Sequence, residues 1–196
     1  MAYVGLAKPI VAKYANTAGT PTYTEGFACG KAIEMTISPQ YNEGSLYGDD
    51  EEAEYDKEFK YADITMNTTT LPLKAHEILF GHTVVEASTG EEAKTPAKIT
   101  DKADDEANYV GVGFFATEKV NGVRKYIAFW MYKVKFSESE ESYTTKGDSI
   151  EYKTPSIAGR ALSVDEVGWR ERSIHDTKAE ALEWLNKMAG ITAAGA

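Results

Sequence analysis

The chain has 196 residues, 42% of them hydrophobic and 11% aromatic, enough to bury a core and too apolar for wholesale disorder. Its 31 acidic against 21 basic residues give a formal charge of −10, which argues against an unassisted grip on a phosphate backbone, because such binding runs on Lys and Arg. The single Cys29 permits no internal disulfide, the opening MAYVGLAKPIVAKY breaks at Lys8 and Pro9, and no stretch approaches the roughly 20 apolar residues of a membrane span, so a soluble protein in a reduced, intracellular setting is expected.

Apolar residues recur at every second position between turn-forming clusters, which is the period of β-structure. In AIEMTISPQY, Ile33, Met35 and Ile37 share one strand face, with Glu34, Thr36 and Ser38 on the other. Residues 48–59, GDDEEAEYDKEF, then set seven carboxylates and one lysine into twelve positions. A catalytic carboxylate pair needs a pocket that separates two pKa values, and a run this dense in like charge defines no pair. Charge runs are as a rule exposed, so its first half reads as a solvated loop. From Glu54 alternation returns, with Tyr55, Lys57 and Phe59 on one face, and ITM at 64–66 is another short strand.

The segment LPLKAHEILFGH, 71–82, is helical in pattern: Pro72 suits the start, Ala75, Ile78 and Leu79 fall on one side, and Gly81 suits the stop. His76, Glu77 and His82 spell a metalloprotease motif only loosely. Zinc ligands on one helical face need His at i and i+4, and position 80 is Phe, so His76 reads as an ordinary partly buried or surface residue. Residues 86–108 are polar and mixed in charge and read as a long mobile loop or insertion. Within it, DKADDE lacks the sixth-position glycine of a calcium loop, where Glu106 stands instead.

Next comes a hairpin around KVNGVRK, with Asn121 and Gly122 suited to a type I′ turn. Opposed residue numbers then sum to 243, which sets Gly113 opposite Trp130, Gly111 opposite Tyr132 and Phe114 opposite Phe129, so that large rings cover bare strand glycines. Pairing from Tyr109 to Val134 gives arms of about twelve residues, about 40 Å long. GVGFFA, 111–116, has the letters of a dinucleotide fingerprint, but alternation runs on into the hairpin and leaves no helix to face a pyrophosphate. Both hairpin faces are apolar: Val110, Val112, Phe114, Ile127, Phe129 and Met131 on one, and Phe115, Ala128, Trp130 and Tyr132 on the other. Phe114, Phe115, Phe129, Trp130 and Tyr132 are thus candidate core or interface residues, and one face must meet a helix or another subunit.

SIEYKT (149–154) and RALSV (160–164) alternate as short strands, and TKAEALEWLNKMAG closes the chain as a helix. Thr177 and Glu180 have capping-box spacing, Ala181, Leu182, Leu185 and Met188 form the stripe, and Gly190 ends it. No nucleophile elbow or phosphate-binding lysine loop occurs, so no catalytic residue, metal or cofactor is expected and the chain is not expected to be an enzyme.

Four blocks in this order, YVGLAKPIVAKY, GKAIEMTISPQYNEGSLYGDDEEAEYDKEFKYADITM with the following LPLKAHEILFGH, DEANYVGVGFFATEKVNGVRKYIAFWMYKVKF, and KGDSIEYKTPSIAGRAL, resemble the major tail protein family of long, non-contractile-tailed bacteriophages. The resemblance runs from about residue 3 to 191. It implies one domain over 1–191, with 192–196 a short tail, in a mainly β, sandwich- or barrel-like tail-tube fold with one short packed helix and a C-terminal helix. It also implies a virion protein assembled in the host cytoplasm: hexameric rings of this chain stack around a tape-measure protein, with tail terminator and distal tail proteins as further partners. DNA passes through the lumen without specific binding, and there is no membrane anchor. An acidic wall would keep DNA off it over about 8 Å at physiological salt. In that family the long loop after the second strand reaches a neighbouring subunit or the adjacent ring. By position it corresponds to residues 40–59, which makes Tyr41, Leu46, Tyr47, Asp49, Asp50, Glu51, Glu52, Glu54, Tyr55 and Phe59 the candidate inter-subunit arm. The alternative expectation is a monomeric β-sandwich carbohydrate-binding or adhesion module, which needs aromatic rings exposed as a sugar platform.

Overall fold

The computed structural model describes residues 3–88, 95–120, 122–138, 141–145 and 153–191. Where alternation is strong, strands form: β1 (Tyr3–Thr17), β2 (Thr20–Ala28), β3 (Ala32–Gly48) and β4 (Glu51–Thr68) open the chain. A single helical turn, α1 (Leu73–Ala75), runs into one π-helical turn (His76–Phe80), which Gly81 ends in the left-handed region at φ 81°, as its place in the pattern foretold. Two short strands follow, β5 (Thr83–Val85) and β6 (Lys98–Thr100), then β7 (Tyr109–Val120), β8 (Val123–Ser137), β9 (Ser156–Leu162), β10 (Arg170–His175) and α2 (Lys178–Met188).

Eight strands make one antiparallel sheet in the order β2-β1-β7-β8-β9-β4-β3, in which β10 lies beside residues 126–131 of β8 and β9 beside residues 133–137. The sheet bends over itself. Val11 of β1, Val112 of β7 and Met131 of β8 share one buried cluster with Ile64 and Met66 of β4 and Ile157 of β9, and Ile78, Leu79 and Phe80 close it. The chain is therefore mainly β and sandwich-like, with two short helices. Cys29 lies in that cluster, and burial pushes its thiol up to about 12, which leaves it inert at neutral pH.

The β7–β8 hairpin follows the constant sum from Val120↔Val123 to Val112↔Met131, with Gly122 at φ 84° in the turn; Asn121 lies outside the described residues. Gly113 faces Trp130, and Phe114 stacks on Phe129 with centroids 4.8 Å apart. Between Val110 and Val112 the register slips by one, so Tyr109 pairs with Lys135, and Tyr132 is not opposite Gly111 as the sum required. A bulge turns Tyr132 toward other partners: its hydroxyl donates to Glu171 and its carbonyl accepts the Tyr23 hydroxyl at 2.8 Å. Gly111 is covered by Tyr23 and Trp130 instead.

Both apolar faces of the hairpin are covered within the chain. One belongs to the cluster just described; the other, with Phe115, Ala128, Trp130 and Tyr132, packs under α2 through Ala181, Leu185 and Ala189. Of the helix and the second subunit that this face needed, the helix occupies it. The Thr177–Glu180 capping box is formed on both sides, Glu180 N–H donating to the Thr177 hydroxyl at 3.2 Å and Thr177 N–H to the Glu180 carboxylate at 3.0 Å.

Three local expectations change. Ile33 leaves the buried face because the register shifts between Ala32 and Glu34, and it is left exposed while Met35 and Ile37 pack inward. Part of the polar segment 86–108 is ordered strand, Lys98–Thr100 pairing with Thr83–Val85. The strand after SIEYKT begins at Ser156; residues 149–152 lie outside the described residues, and 153–154 are not strand.

Candidate functional site

The acidic run is a ribbon, not a loop. β3 and β4 stay paired from Ala32↔Thr68 to Gly48↔Glu51, and Asp49 and Asp50, at φ 51° and 63°, form the two-residue turn. Both φ values are positive, as a type I′ turn requires, and Asp is among the few side chains that tolerate them. The loop expected over 48–54 is thus strand up to Gly48 and again from Glu51. Residues 40–58 are exposed on both strands, so the ribbon leaves the body. From Phe59 to Asp50 are nine residues, about 30 Å at 3.3 Å each.

Aromatic packing fixes its root. Phe59 is half-buried and stacks on Trp169, with centroids 4.8 Å apart and planes 7° from parallel, and Tyr41 meets Phe59 edge-on at 6.1 Å. Further out, Lys57 Nζ lies 4.4 Å above the Tyr41 ring and 2.6 Å from Glu43, which holds the Glu43 carboxyl below its ordinary value. Ser45 donates to Glu52 at 2.6 Å. Leu46 is 63% exposed, Tyr47 67% and Tyr55 52%. Asp49, Asp50, Glu51, Glu52 and Glu54 crowd the tip without a cation within 4.0 Å among the described residues.

The structure thus brings all ten candidate arm residues onto one projecting ribbon, with Phe59 as its anchor. The five hairpin candidates do not join them. Phe114, Phe115, Phe129, Trp130 and Tyr132 are buried in the two clusters of the body. Sequence reasoning missed Trp169, whose contact to Phe59 spans 110 positions, and the Glu43–Lys57 pair.

The chain matches no protein-family model and no curated protein. What the arm can do therefore follows from its own chemistry. A two-stranded ribbon alone in water is marginally stable, and this one carries exposed Leu46, Tyr47 and Tyr55 among like charges. It presents a long two-sided surface to its surroundings.

A second cluster went unread in the sequence. Gly81 swings the chain so that the His82 ring lies 5.8 Å from that of His76, and His82, 6% exposed, has Nδ1 3.0 Å from Asp101 and Nε2 2.5 Å from Glu138. These residues come from three separate stretches, so no spacing announces them. Burial, and then the facing His82, lower the pKa of His76, against the pull of Asp101, Glu141 and Glu138. Because the folded state binds that proton less readily than the unfolded chain, the contribution of His76 to stability is whole above the ordinary histidine value and is lost as pH falls below it. A His76→Gln chain is expected to lose less stability between about pH 7.5 and about pH 5.5 than the parent does, as read from urea midpoints at the two values.

Proposed function

We propose that this chain is the structural subunit of a bacteriophage tail tube, which self-assembles into stacked hexameric rings around a tape-measure protein and lets DNA pass during ejection. The observation that carries this reading is the arm: a ribbon about 30 Å long, rooted by Phe59 on Trp169 and tipped with carboxylates and exposed tyrosines, serves no contact beyond that root among the described residues. Open sheet edges support it. β2 and β3 stand at the two ends of the sheet order and, among the described residues, pair on one side only, so each offers a row of backbone groups for a further strand. In a head-to-tail ring each such row meets the next copy, and the contact closes when the rotation fits. The sugar-platform alternative draws no support from the β7–β8 hairpin, since Trp130 and its neighbours are in the core.

The test is electron microscopy with sedimentation on the purified chain over a range of concentrations, alone and with tail-assembly partners. Rings or tubes with sixfold symmetry are the expected result. Monomers under every condition would overturn the proposal.

A further inference from the structure

The two faces of the arm differ in how far they are satisfied. On one, Glu43 pairs with Lys57, Ser45 with Glu52, and Lys57 covers Tyr41. On the other lie Glu54, Asp56 and Glu58, opposite Leu46, Gly44 and Asn42, with no cation within 4.0 Å of any of the three among the described residues. They recur at every second residue, about 6.6 Å apart. At Gly44, which has no side chain, a shallow notch of about 410 Å³ opens, lined also by Ser45, Leu46, Glu54, Tyr55 and Asp56.

A matching surface lies elsewhere on the same chain. Beyond the reach of α2, the outer face of the sheet holds a shallow trough of about 520 Å³ along β8 and β9, lined by Lys135, Arg160, Tyr109, Asp63 and Leu162 among others. Tyrosine rings hold its cations Lys135 and Arg160, and also Lys133, which borders the trough on β8 without lining it. Lys133 Nζ is 4.5 Å from the Tyr109 centroid and 5.7 Å from that of Tyr14, Lys135 Nζ is 5.3 Å from Tyr109, and the Arg160 guanidinium carbon is 3.8 Å from Tyr61. Lys133 has no carboxylate within 4.0 Å among the described residues; Lys135 holds only the exposed Glu106 at 3.4 Å, and Arg160 holds Asp63 at 3.3 Å. Such exposed pairs exchange readily. Lys133 and Lys135 sit two residues apart on β8, the same step as Glu54 to Asp56 on the arm, and Arg160 lies opposite Lys135.

We propose that the acidic face of the arm docks in the basic, tyrosine-lined trough of another copy of this chain. The proposal rests on the tube assembly above and names the seat of its arm. The arm cannot fill its own trough: Glu54 lies seven residues beyond Tyr61 along β4, about 23 Å out on a strand that leads away from it. Acidic stripe and basic trough are different patches of one surface, so the contact is head-to-tail and propagates from copy to copy.

Paired charge reversals test it. A trough variant, K133E with K135E, and an arm variant, E54K with D56K, are each compared with the parent chain by sedimentation and microscopy, after thermal unfolding has shown both to be folded. Each alone is expected to associate about tenfold or more weakly than the parent, because like charges then face each other. An equimolar mixture is expected to regain assembly, since each variant's arm then meets a trough of opposite sign, and a chain carrying all four changes is expected to assemble by itself. If the parent assembles and the mixture does not recover, the seat is wrong while the tube reading stands. If the trough variant assembles normally and instead loses affinity for a labelled 20-nucleotide single strand, the trough belongs to nucleic acid and the proposal falls. A parent chain that never assembles overturns both.

Discussion

Replacing residues 46–54 by Asn-Gly, so that the ribbon closes between Ser45 and Tyr55, should yield a folded chain that forms no tubes. Every residue removed is exposed and none touches the core, so the unfolding free energy should move by no more than about 0.5 kcal/mol. Asn-Gly suits the positive φ angles that Asp49 and Asp50 now adopt, and the cross-strand pairs from Ser45↔Tyr55 to the body keep their register. What disappears is Leu46, Tyr47 and the carboxylates of the tip, the part of the arm farthest from its own chain. Urea denaturation checks the fold and microscopy the assembly. Normal tubes from this variant would show the projection to be ornamental.

A large loss of stability is expected from filling Gly113. An added Cβ would overlap the Trp130 ring and come within 2.7 Å of Leu185 Cδ2, so the strand, the indole and α2 cannot all keep their places. Gly113→Val should cost about 3 kcal/mol, the upper part of the range for overpacking a filled core. Gly44→Val is the control: it lies on the arm with nothing within 4 Å of the added carbon, and its effect should stay below about 0.5 kcal/mol. Urea titrations of the two variants beside the parent measure both. Equal midpoints would mean that Trp130 does not pack on Gly113.

The contrast between two hairpins shows what was legible. Asn-Gly at 121–122 is the dipeptide that a type I′ turn prefers, and from it alone came the partners of Gly113 and Phe114 and the composition of both apolar faces. Asp49-Asp50 makes a turn of the same kind, yet a pair of aspartates inside an acidic run reads equally well as solvated chain, so the outer end of the ribbon, from Gly48 to Ala53, looked like a loop feeding a strand. Centred there, the same constant-sum rule gives Tyr47 opposite Glu52 and then fails: a bulge between Leu46 and Tyr47 raises the sum from 99 to 100, and only that shift sets Glu43 opposite Lys57 and Tyr41 opposite Phe59. Bulges defeat such arithmetic, because one extra residue rotates every side chain beyond it; Gly111 and Ile33 were misplaced for that reason. β10 escaped notice because RERSIH has no apolar alternation and is held instead by its pairing to β8. Contacts across long separations, Phe59 with Trp169 or His82 with Asp101 and Glu138, leave no local trace at all.

The last helix bears on how subunits would join. With Ala181, Leu185 and Ala189 already seated on the hairpin, a newly made copy hides its oiliest surface behind its own C-terminal segment. Little hydrophobic drive is then left to pull copies together, and the burden shifts to charge and to unpaired strand rims. The part of that drive carried by charge fades within about 8 Å at physiological ionic strength and further as salt is added. Added salt would then act as a brake on polymerisation, and dilution into low salt as its release.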